Sequence, residues 1–398
     1  MNKTFCPYPF YHICTTSDSK FRLCCHSKDI ETKEKYSIDE WWNSNEINDR
    51  RQQLLSGIPI PECSKCYKLE KENINSPRMA QLEQLNNKTK FADKKYSNIN
   101  NWRKNYNVVP LSLDLRFSNK CNLKCRMCNP YSSSSVGDEI KKHKELTEIK
   151  EYYWPDFNND FNDSLPPKYI FDNLNSIERL RITGGEPFYS PEFYELVNIL
   201  EKTSLDQKIR IKVISNGSFF SNRIIEQISK SPIDMHLEIS IDGINDEYNY
   251  IRYPAKWHRI SKNLINFNNA KIPMNVTITV QILNIINIVE MLSWFDLHKI
   301  VWDGMLLDDP DIYNINWLPP KISNIVINDI EKYRINKTFT VEQECLLNNI
   351  INRLSVSKFD KVVCNQFLKV TSVYDKIRKQ SFQEVHPILY NEINKLLH

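Results

Sequence analysis

Strand-like and helix-like segments alternate between residues 107 and 305, and this alternation constrains the fold more than any other feature of the sequence. Between the strand-like segments lie helical patterns such as PEFYELVNILEK and WHRISKNLINFNN. Alternating strands and helices imply parallel strands with helices on one or both faces. We therefore predict an α/β fold, a partial β/α barrel of the TIM type. The segments in which apolar and polar residues alternate are 111–118, 178–183, 209–215, 235–241 and 275–282, with a weaker one at 299–303.

Three cysteines follow the first of these strands within eight residues. They are Cys121, Cys125 and Cys128 in the run SNKCNLKCRMCNP, and their C-x3-C-x2-C spacing offers three thiolates from one short loop. Each iron of a four-iron four-sulfur cluster needs a ligand, so three cysteines leave one iron open to a small molecule. An open iron indicates chemistry rather than electron storage alone. This cysteine loop is the strongest functional signal in the chain.

The bulk composition predicts a folded globular protein. The chain has 398 residues, of which 41% are hydrophobic, enough to fill real cores. Its net charge of +4 comes from 53 basic and 49 acidic residues, a balance that argues against a nucleic-acid partner. No apolar run approaches the roughly 20 residues of a membrane span, and the start MNKTFCPYPFYHIC lacks the apolar core of a signal peptide. We therefore expect a cytoplasmic protein with no membrane partner.

The cysteines and the polar runs divide the chain into four regions. Nine of the eleven cysteines lie in the first third, and in a reducing cytosol clustered cysteines favour metal ligands over disulfides. Cys345 and Cys364 stand alone in helix-like surroundings, which is typical of inert core cysteines. The predicted regions are a small cysteine-rich domain at 1–90, a polar linker at 91–106, the barrel at 107–320 and a helical region at 321–398.

Motifs at successive strand ends resemble those of the radical S-adenosylmethionine (SAM) superfamily. TGGEP at 183–187 resembles the motif that binds the SAM amine, and SNG at 215–217 and SIDG at 240–243 end the next two strands. The resemblance covers roughly 107–305. It implies a cluster on the three cysteines of the loop, with the SAM amine and carboxylate on the fourth iron. The residues implied to contact SAM are Met127, Gly184, Gly185, Glu186, Ser215, Asn216, Ser240, Asp242, Arg252 and Gln281, with Asn284 as a weaker candidate.

Several of these residues also fit a purely structural interpretation. The SNG and SIDG residues are typical of turns and helix caps. Arg252 could equally be a solvated surface arginine, although it could also pair with the SAM carboxylate. Both interpretations stay open from the sequence alone.

The alternation along the barrel strands also predicts which side chains face inward. The apolar side of each strand should meet the helices, so the other side should face the lumen. Ionisable residues there suggest a polar substrate, whereas Asp114 and Glu238 could instead simply neutralise basic neighbours. Glu238 and Lys212 are candidates for handling a proton, although no catalytic residue is assigned. The predicted inward set is Asp114, Arg116, Arg181, Lys212, Glu238 and Gln281.

The N-terminal cysteines resemble a second metal-binding module. FCPYPFYHICTTSDSKFRLCC followed by ECSKC is similar to the twitch or SPASM-like domains that carry an auxiliary iron–sulfur cluster. The resemblance implies Cys6, Cys24, Cys63 and Cys66 as its ligands. Cys25 could replace Cys24, and Cys14 is expected to pack. A zinc site with four thiolates fits the same spacing. The segment YDKIRKQSFQEVHPIL is similar to the C-terminal tails of the same subgroup.

The resemblance implies reductive cleavage of SAM to a deoxyadenosyl radical that abstracts hydrogen from a substrate. A peptide or protein is the first expected substrate, and a small polar metabolite, such as a sugar or amino-acid derivative, is the alternative. A low-potential electron donor such as flavodoxin or ferredoxin would be a partner. A different class stays open, a non-catalytic iron–sulfur or zinc-binding protein, which metal analysis would distinguish.

Overall fold

The structure is a computed structural model, and the predicted linker at 91–106 lies outside the residues it describes. The described residues are 3–16, 20–30, 36–72, 74–86, 110–152, 177–202, 209–221 and 234–398. The chain divides into two compact units, of which the first joins the cysteine-rich N-terminal segment to part of the α/β region. The first unit comprises Met1–Ser118, Phe161–Val213 and Ser231–Met235, and the second comprises Asn119–Asp160, Ile214–Lys230 and His236–His398.

Eight strands form a mostly parallel sheet, which confirms the predicted α/β class and the strand arrangement of a partial TIM-like barrel. The strands are β1 (His12–Thr15), β2 (Phe21–Arg22), β3 (Ser112–Arg116), β4 (Arg179–Thr183), β5 (Arg210–Ser215), β6 (Asp234–Ser240), β7 (Met274–Val280) and β8 (Trp302–Leu306). In the first unit the strand order is β2-β1-β3-β4-β5, and β6, β7 and β8 follow in that order. The β1 and β2 strands pair antiparallel, whereas β3 pairs parallel with both β1 and β4.

The six strands predicted from the alternation are all present, whereas β1 and β2 were not predicted. The β1 strand pairs with β3 in a register that sets His12 beside Ser112 and Cys14 beside Asp114. All four β1 residues are buried, so both faces of the strand are covered. A strand covered on both faces need not alternate apolar and polar residues, and this one does not. The cysteine-rich segment therefore contributes a strand to the sheet as well as thiols.

Helices follow most of the strands, and several begin with side-chain caps. In the first unit they are α1 (Ile38–Asn43), α2 (Asn45–Leu55), α3 (Ser64–Lys71), α4 (Pro77–Asn86) and α7 (Pro191–Lys202). In the second unit they are α5 (Ser134–Lys142), α6 (Lys144–Glu148), α8 (Asn245–Ile251), α9 (Trp257–Asn269), α10 (Ile288–Leu297), α11 (Pro320–Arg334), α12 (Val341–Ser355), α13 (Lys361–Arg378), α14 (Phe382–Val385) and α15 (Pro387–Leu397). No helix in the described ranges is both long enough and apolar enough to span a membrane.

The β3, β4 and β5 strands of the first unit separate an apolar face from a polar one. Leu113, Leu180 and Ile211 lie side by side in register, and each is at most 1% exposed. The polar residues between them point to the opposite face, because successive side chains of a strand alternate. Burying each branched side chain contributes roughly 1.5–3 kcal/mol. The apolar face thus fixes the register, and the register in turn aligns the polar residues.

The N-terminal segment of the first unit has its own aromatic core. Trp41 and Trp42 on α1 are fully buried, and the buried Arg51 guanidinium lies 4.2 Å from the Trp42 ring centroid. Arg51 also donates to the backbone oxygens of Pro9 and Trp42, so its buried charge is hydrogen-bonded. A second hydrophobic cluster of the first unit consists of the buried residues Phe5, Phe10, Tyr11, Leu82 and Leu111.

In the second unit, aromatic side chains hold the C-terminal helices together. The Phe367 ring on α13 lies 5.9 Å from Tyr313, 5.4 Å from Trp317 and 5.2 Å from Phe382, measured between ring centroids. Such tilted and edge-on pairs add to the stabilisation that comes from apolar burial. The predicted helical region after residue 320 is therefore a packed part of the second unit.

Replacing Gly217 by alanine should destabilise the protein. Gly217 has a φ of 71°, and a Cβ there would lie 2.8 Å from Ile239 Cγ2. We expect Gly217→Ala to lower the free energy of unfolding by about 1–3 kcal/mol, measured by urea denaturation. The matched control is Gly137→Ala in α5, where a Cβ meets Pro130 at 3.7 Å. That change should be neutral or stabilise by up to about 1 kcal/mol, and equal losses in both variants would contradict the account.

Candidate active site

The cysteine loop of the second unit offers three partly exposed thiols, those of Cys121, Cys125 and Cys128. Backbone N–H groups shape it, since Leu123 donates to the Cys121 sulfur at 3.5 Å and Cys128 donates to the Cys125 oxygen at 3.0 Å. Burial raises the pKa of the Cys125 thiol to about 12, although the Arg252 guanidinium acts to lower it. Thiols in such surroundings become thiolates readily only when a metal supplies positive charge. The loop therefore has the donors that an iron–sulfur cluster requires.

Arg126 lies inside this loop and anchors it. Its guanidinium is fully buried, stacks 3.6 Å from the Tyr250 ring centroid and donates to the Asp375 carboxylate at 2.5 Å. The Arg126 backbone N–H also donates to the Ile251 oxygen at 2.8 Å. A buried charge with these partners holds its position tightly, because losing one would leave it uncompensated. The side chain and the backbone N–H of Arg126 thus both fix the loop between the second and third cysteines.

The C-terminal tail supplies the other side of this anchor. Asp375 on α13 also accepts hydrogen bonds from the Tyr250 hydroxyl at 2.8 Å and from the Phe382 N–H at 2.6 Å. Arg378, one turn further on, donates to the Glu139 carboxylate at 2.7 Å. This tail resembles those of the twitch-bearing subgroup, but the resemblance predicts no role for it. The only sequence signal for this anchoring role was an acidic and a basic residue one helical turn apart, Asp375 and Arg378.

The SNG turn lies against the cysteine loop within the second unit. The Asn216 amide donates to the Asn122 side-chain oxygen at 2.9 Å, and Asn122 donates in turn to the Ser218 hydroxyl at 3.0 Å. The Ser215 hydroxyl accepts from the Gly217 N–H at 3.1 Å. The turn therefore has the structural role that its residues predict. Through its contact with Asn122, Asn216 also lies against the cysteine loop, one residue after Cys121 in the sequence.

Asp242 of the SIDG segment pairs with Arg252, ten residues later in the sequence. Arg252 donates to the Asp242 carboxylate through two nitrogens, at 2.8 and 2.7 Å, and the Thr279 N–H donates to the other oxygen at 2.8 Å. Burial raises the pKa of Asp242, while the Arg252 guanidinium acts in the opposite direction. Arg252 is 6% exposed, so it is not the solvated surface arginine of the structural interpretation. Its contact with SAM stays a prediction.

Gln281 has a buried side-chain amide that a ligand could satisfy. Its side chain is 0% exposed, and neither its amide oxygen nor its amide nitrogen has a hydrogen-bond partner among the residues that the structure describes. The neighbouring Asn284, in contrast, accepts from the Gln281 N–H at 2.8 Å and donates to the Thr279 oxygen at 2.9 Å. A buried amide without partners costs free energy unless a ligand or water satisfies it. Asn284 is thus a structural residue by its contacts, and Gln281 fits a polar ligand such as SAM.

Two further SAM candidates of the second unit are accessible, and the proton-handling candidates differ in exposure. Met127 and Ser240 are each half-buried. Glu238 is 7% exposed, whereas Lys212, in the first unit, is exposed. Their roles stay predictions.

The GGEP motif lies in the first unit and forms a tight turn after β4. Gly184 has a φ of 123°, and a Cβ there would lie 2.6 Å from the Ser118 oxygen, so no larger residue fits. The Gly185 N–H donates to the same oxygen at 3.0 Å. The Glu186 carboxylate accepts from the Phe188 N–H at 3.3 Å and caps the turn that follows. The motif therefore packs against the strand end that leads into the cysteine loop in the sequence.

Four N-terminal cysteines line one pocket of the first unit. They are Cys6, Cys24, Cys63 and Cys66, and Tyr8, His26, Ser27, Pro77 and Arg78 complete the lining. Cys25 is absent from this lining, and Cys14 is fully buried beside Arg116, whose Nη1 lies 3.1 Å from the Cys14 sulfur. Burial raises the pKa of Cys63 to about 12, with the Cys66 sulfur acting in the same direction. The pocket therefore brings together the four cysteines that the resemblance implies as ligands, and their binding of a cluster stays a prediction.

The thiols of the two sites are the donors that an iron–sulfur cluster requires. The cysteine loop offers three thiols, and the N-terminal pocket offers four. Four thiolates also suit a zinc ion, so the N-terminal pocket fits either group by its donor set.

Asp375→Asn should weaken the anchor of the cysteine loop. The variant leaves the buried Arg126 without its carboxylate, which costs about 3 kcal/mol. We expect a lower unfolding midpoint and a faster loss of iron from the reconstituted protein, followed by absorption during anaerobic chelation. The control is Glu392→Gln, which breaks the surface pair with Lys321 at 2.8 Å and should change neither quantity. Wild-type iron retention in Asp375→Asn would show that the anchor does not hold the loop.

Glu247 should make the stability depend on pH. Burial raises its pKa to about 8, although the Asn287 amide donates to it at 2.8 Å. The folded protein keeps this proton at neutral pH, whereas the unfolded chain releases it near pH 4.5. The stability contributed by this group is therefore present at low pH and is lost as the pH rises from about 4.5 to about 8.

Glu247→Gln should remove this dependence. Relative to wild type, the variant should gain on the order of 1 kcal/mol or more in free energy of unfolding between pH 5 and pH 8.5, measured by urea denaturation. Glu342→Gln, at an exposed position of α12, is the control and should track the wild type at both values. A parallel pH profile for wild type and Glu247→Gln would refute the assignment.

Comparison with known proteins finds similarity to one family over part of the chain. The model of the radical SAM superfamily matches residues 115–295. The chain is 24% identical over 265 residues to molybdenum cofactor biosynthesis protein 1 of Dictyostelium discoideum, covering 63% of this chain and 37% of that protein. It is 22% identical over 173 residues to the sporulation killing factor maturation protein SkfB of Bacillus subtilis (strain 168), covering 43% of this chain and 36% of that protein. The chain thus spans little more than a third of the length of these two relatives.

Solved structures of radical SAM enzymes are also similar. Native anSMEcpe with bound AdoMet aligns with a TM-score of 0.42 and 18% identity, over 56% of this chain and 60% of that chain. Streptococcus suis SuiB bound to S-adenosylmethionine aligns with a TM-score of 0.41 and 17% identity, over 74% of this chain and 65% of that chain. The match over 115–295 contains the cysteine loop and the GGEP, SNG and SIDG segments described above. Residues 115–295 are therefore similar to the radical SAM superfamily, a family of enzymes whose cofactors are a four-iron four-sulfur cluster and SAM.

Proposed function

We propose that this protein cleaves SAM reductively and uses the resulting radical to abstract hydrogen from a substrate. The observation that carries the proposal is the cysteine loop, in which three thiols stand on a backbone fixed by Arg126. When bound, the reduced cluster supplies the electron that breaks the sulfonium bond, which yields a deoxyadenosyl radical. The protein's contribution is to hold the cofactors and to exclude water and oxygen.

The residues of the second unit divide this work. Cys121, Cys125 and Cys128 would hold the cluster and leave one iron for SAM. Gln281 would donate and accept hydrogen bonds with SAM, because its buried side-chain amide has no partner in the described part of the chain. Asp242 would hold Arg252 in place near Cys125, where the guanidinium favours the thiolate that binds iron, while the Asp242 carboxylate acts in the opposite direction.

The pocket of the first unit would hold an auxiliary iron–sulfur cluster. Four thiolates close every iron of a second cluster, which suits electron relay or structural support rather than SAM binding. Around Cys66, both the Arg78 backbone N–H and the Ser76 hydroxyl act to stabilise the thiolate. The Arg78 guanidinium is buried and paired with Glu70, which places a fixed positive charge at the pocket wall. These contacts favour a site for an anionic cluster.

Peptide or protein modification is our first proposal for the substrate. It rests on the similarity to SkfB, whose name describes the maturation of a sporulation killing factor. A small polar metabolite is the second candidate. It is favoured by 27% identity over 174 residues to GTP 3',8-cyclase of Desulforamulus reducens, of which this chain covers 45%. In either case a low-potential donor such as flavodoxin or ferredoxin would supply the electron in the reducing cytoplasm.

Cysteine variants test the two cluster sites separately. After anaerobic reconstitution, the wild type should hold about eight irons per chain and release deoxyadenosine from SAM under reduction. Cys121→Ala should lose deoxyadenosine release and about four irons, because it removes a ligand of the SAM-binding cluster. Cys63→Ala should lose about four irons and still cleave SAM. Cys345→Ala, at a half-buried helical position outside both sites, should match the wild type.

The outcomes separate the rival functions. Full deoxyadenosine release by Cys121→Ala would disprove the proposed mechanism. If metal analysis finds zinc rather than iron at the N-terminal pocket, the proposal of an auxiliary cluster is wrong and the pocket is a structural zinc site. Iron without any SAM cleavage in the wild type would favour a non-catalytic iron–sulfur protein.

A further inference from the structure

A run of four serines, residues 132–135, follows the cysteine loop and leads into α5. We call it the serine run. It belongs to none of the motifs described above, and it lies in the same unit as the loop. Its last three serines form hydrogen bonds with the start of the loop, at residues 121–123. The contacts of the run therefore concern the first of the three cysteines.

Two serines of the run bond to the backbone of Cys121. The Cys121 N–H donates to the Ser134 hydroxyl at 3.2 Å, and the Ser135 hydroxyl donates to the Cys121 oxygen at 2.7 Å. The Ser134 N–H donates in turn to the Asn119 oxygen at 2.7 Å, so the run also contacts the chain just before the loop. Because the peptide groups on both sides of the Cys121 Cα are bonded, the backbone from which its side chain projects has little freedom.

A third serine holds the loop at Leu123. The Ser133 hydroxyl donates to the Leu123 oxygen at 2.7 Å and accepts from the Val136 N–H at 3.3 Å, as the N-cap of α5. Ser133 is buried, and a hydrogen bond is stronger in such surroundings than in water. The start of α5 thus holds the loop at two carbonyl groups, those of Cys121 and Leu123.

A backbone N–H group between these two carbonyls contacts the Cys121 sulfur. It belongs to Leu123 and donates to the sulfur at 3.5 Å. Since the carbonyls before and after it are both bonded to the serine run, the run fixes the direction of this N–H. Hydrogen bonds to the sulfurs raise the reduction potential of an iron–sulfur cluster, because they stabilise the added negative charge of its reduced state. The contacts of the run therefore bear on the potential of a cluster at this loop.

We propose that the serine run positions Cys121 and sets the reduction potential of the cluster at the loop. The serines act through the backbone of residues 121–123, so they are positioning residues. The inference rests on the proposed function, because it takes a cluster to be bound there. Loss of the Ser135 hydroxyl should weaken the hydrogen bond from the Leu123 N–H to the Cys121 sulfur and lower the potential. A donor of fixed potential would then reduce less of the cluster, and SAM cleavage would slow.

Redox titration of serine variants tests this role. The full chain is reconstituted anaerobically, and the cluster of the loop is identified by the change of its electron paramagnetic resonance signal when SAM is added. The potential is measured from this signal in samples poised at a series of solution potentials. We expect Ser135→Ala to lower the equilibrium constant for one-electron reduction roughly three- to tenfold, as the loss of about one hydrogen bond does. Ser135→Thr keeps the hydroxyl and should restore the wild-type value.

Ser132→Ala is the matched control, because it removes the same atom from the first serine of the run. Ser132 is half-buried, as Ser135 is. It contacts Asn129 through its backbone N–H, and its hydroxyl makes no hydrogen bond with any residue that the structure describes. The control should therefore keep the wild-type potential. Iron content and urea denaturation are measured on every variant, because a merely structural role would change stability and leave the potential where it is.

The outcomes separate this inference from the proposed function. Equal potentials in wild type and Ser135→Ala, or the same shift in Ser132→Ala, would overturn the inference alone and leave SAM cleavage standing. Loss of iron from Ser135→Ala in place of a shifted potential would also overturn it, because the hydroxyl would then serve the assembly of the cluster. A wild type whose signal does not respond to SAM would instead contradict the proposed function.

Discussion

A buried guanidinium inside the cysteine loop determines much of the second unit. Arg126 has no exposure to solvent, and such a charge is tolerated only when its partners are close and well placed. The C-terminal helix supplies the carboxylate, and the segment after SIDG supplies backbone oxygens and an aromatic ring. The same contacts that satisfy Arg126 fix the loop on which three thiols stand. The stability of this region and its capacity to hold a cluster therefore have a common physical origin.

Polar groups near the proposed cofactors fall into two kinds. Most are satisfied within the protein, as Asp242 is by Arg252 and Asn216 by Asn122, and these shape the site. Gln281 is the contrasting case, a buried amide without partners among the described residues. A protein that must bind a polar nucleoside needs both kinds, because rigid neighbours lower the entropy lost on binding and unsatisfied groups provide the contacts.

The sequence predicted what depends on local pattern and missed what depends on distant partners. The alternation of Leu113 with Asp114 predicted both the strand and the polar face, because a period of two follows from strand geometry. The short β1 strand was not predicted, since its residues are buried on both faces and show no alternation of apolar and polar types. The ion pair of Arg126 with Asp375 joins residues 249 positions apart, and no local pattern encodes such a contact. The family resemblance implied SAM roles for Asp242 and Arg252, whereas their pairing with each other is visible only in the structure.

The central claim is that the three-cysteine loop holds a cluster with one iron open to SAM. Electron paramagnetic resonance of the reduced Cys63→Ala protein tests it most directly, because the auxiliary cluster would no longer contribute. Addition of SAM should change the g values of the remaining cluster signal, since a new ligand on one iron alters its electronic structure. A spectrum that is unchanged at saturating SAM would contradict an open coordination position at this loop.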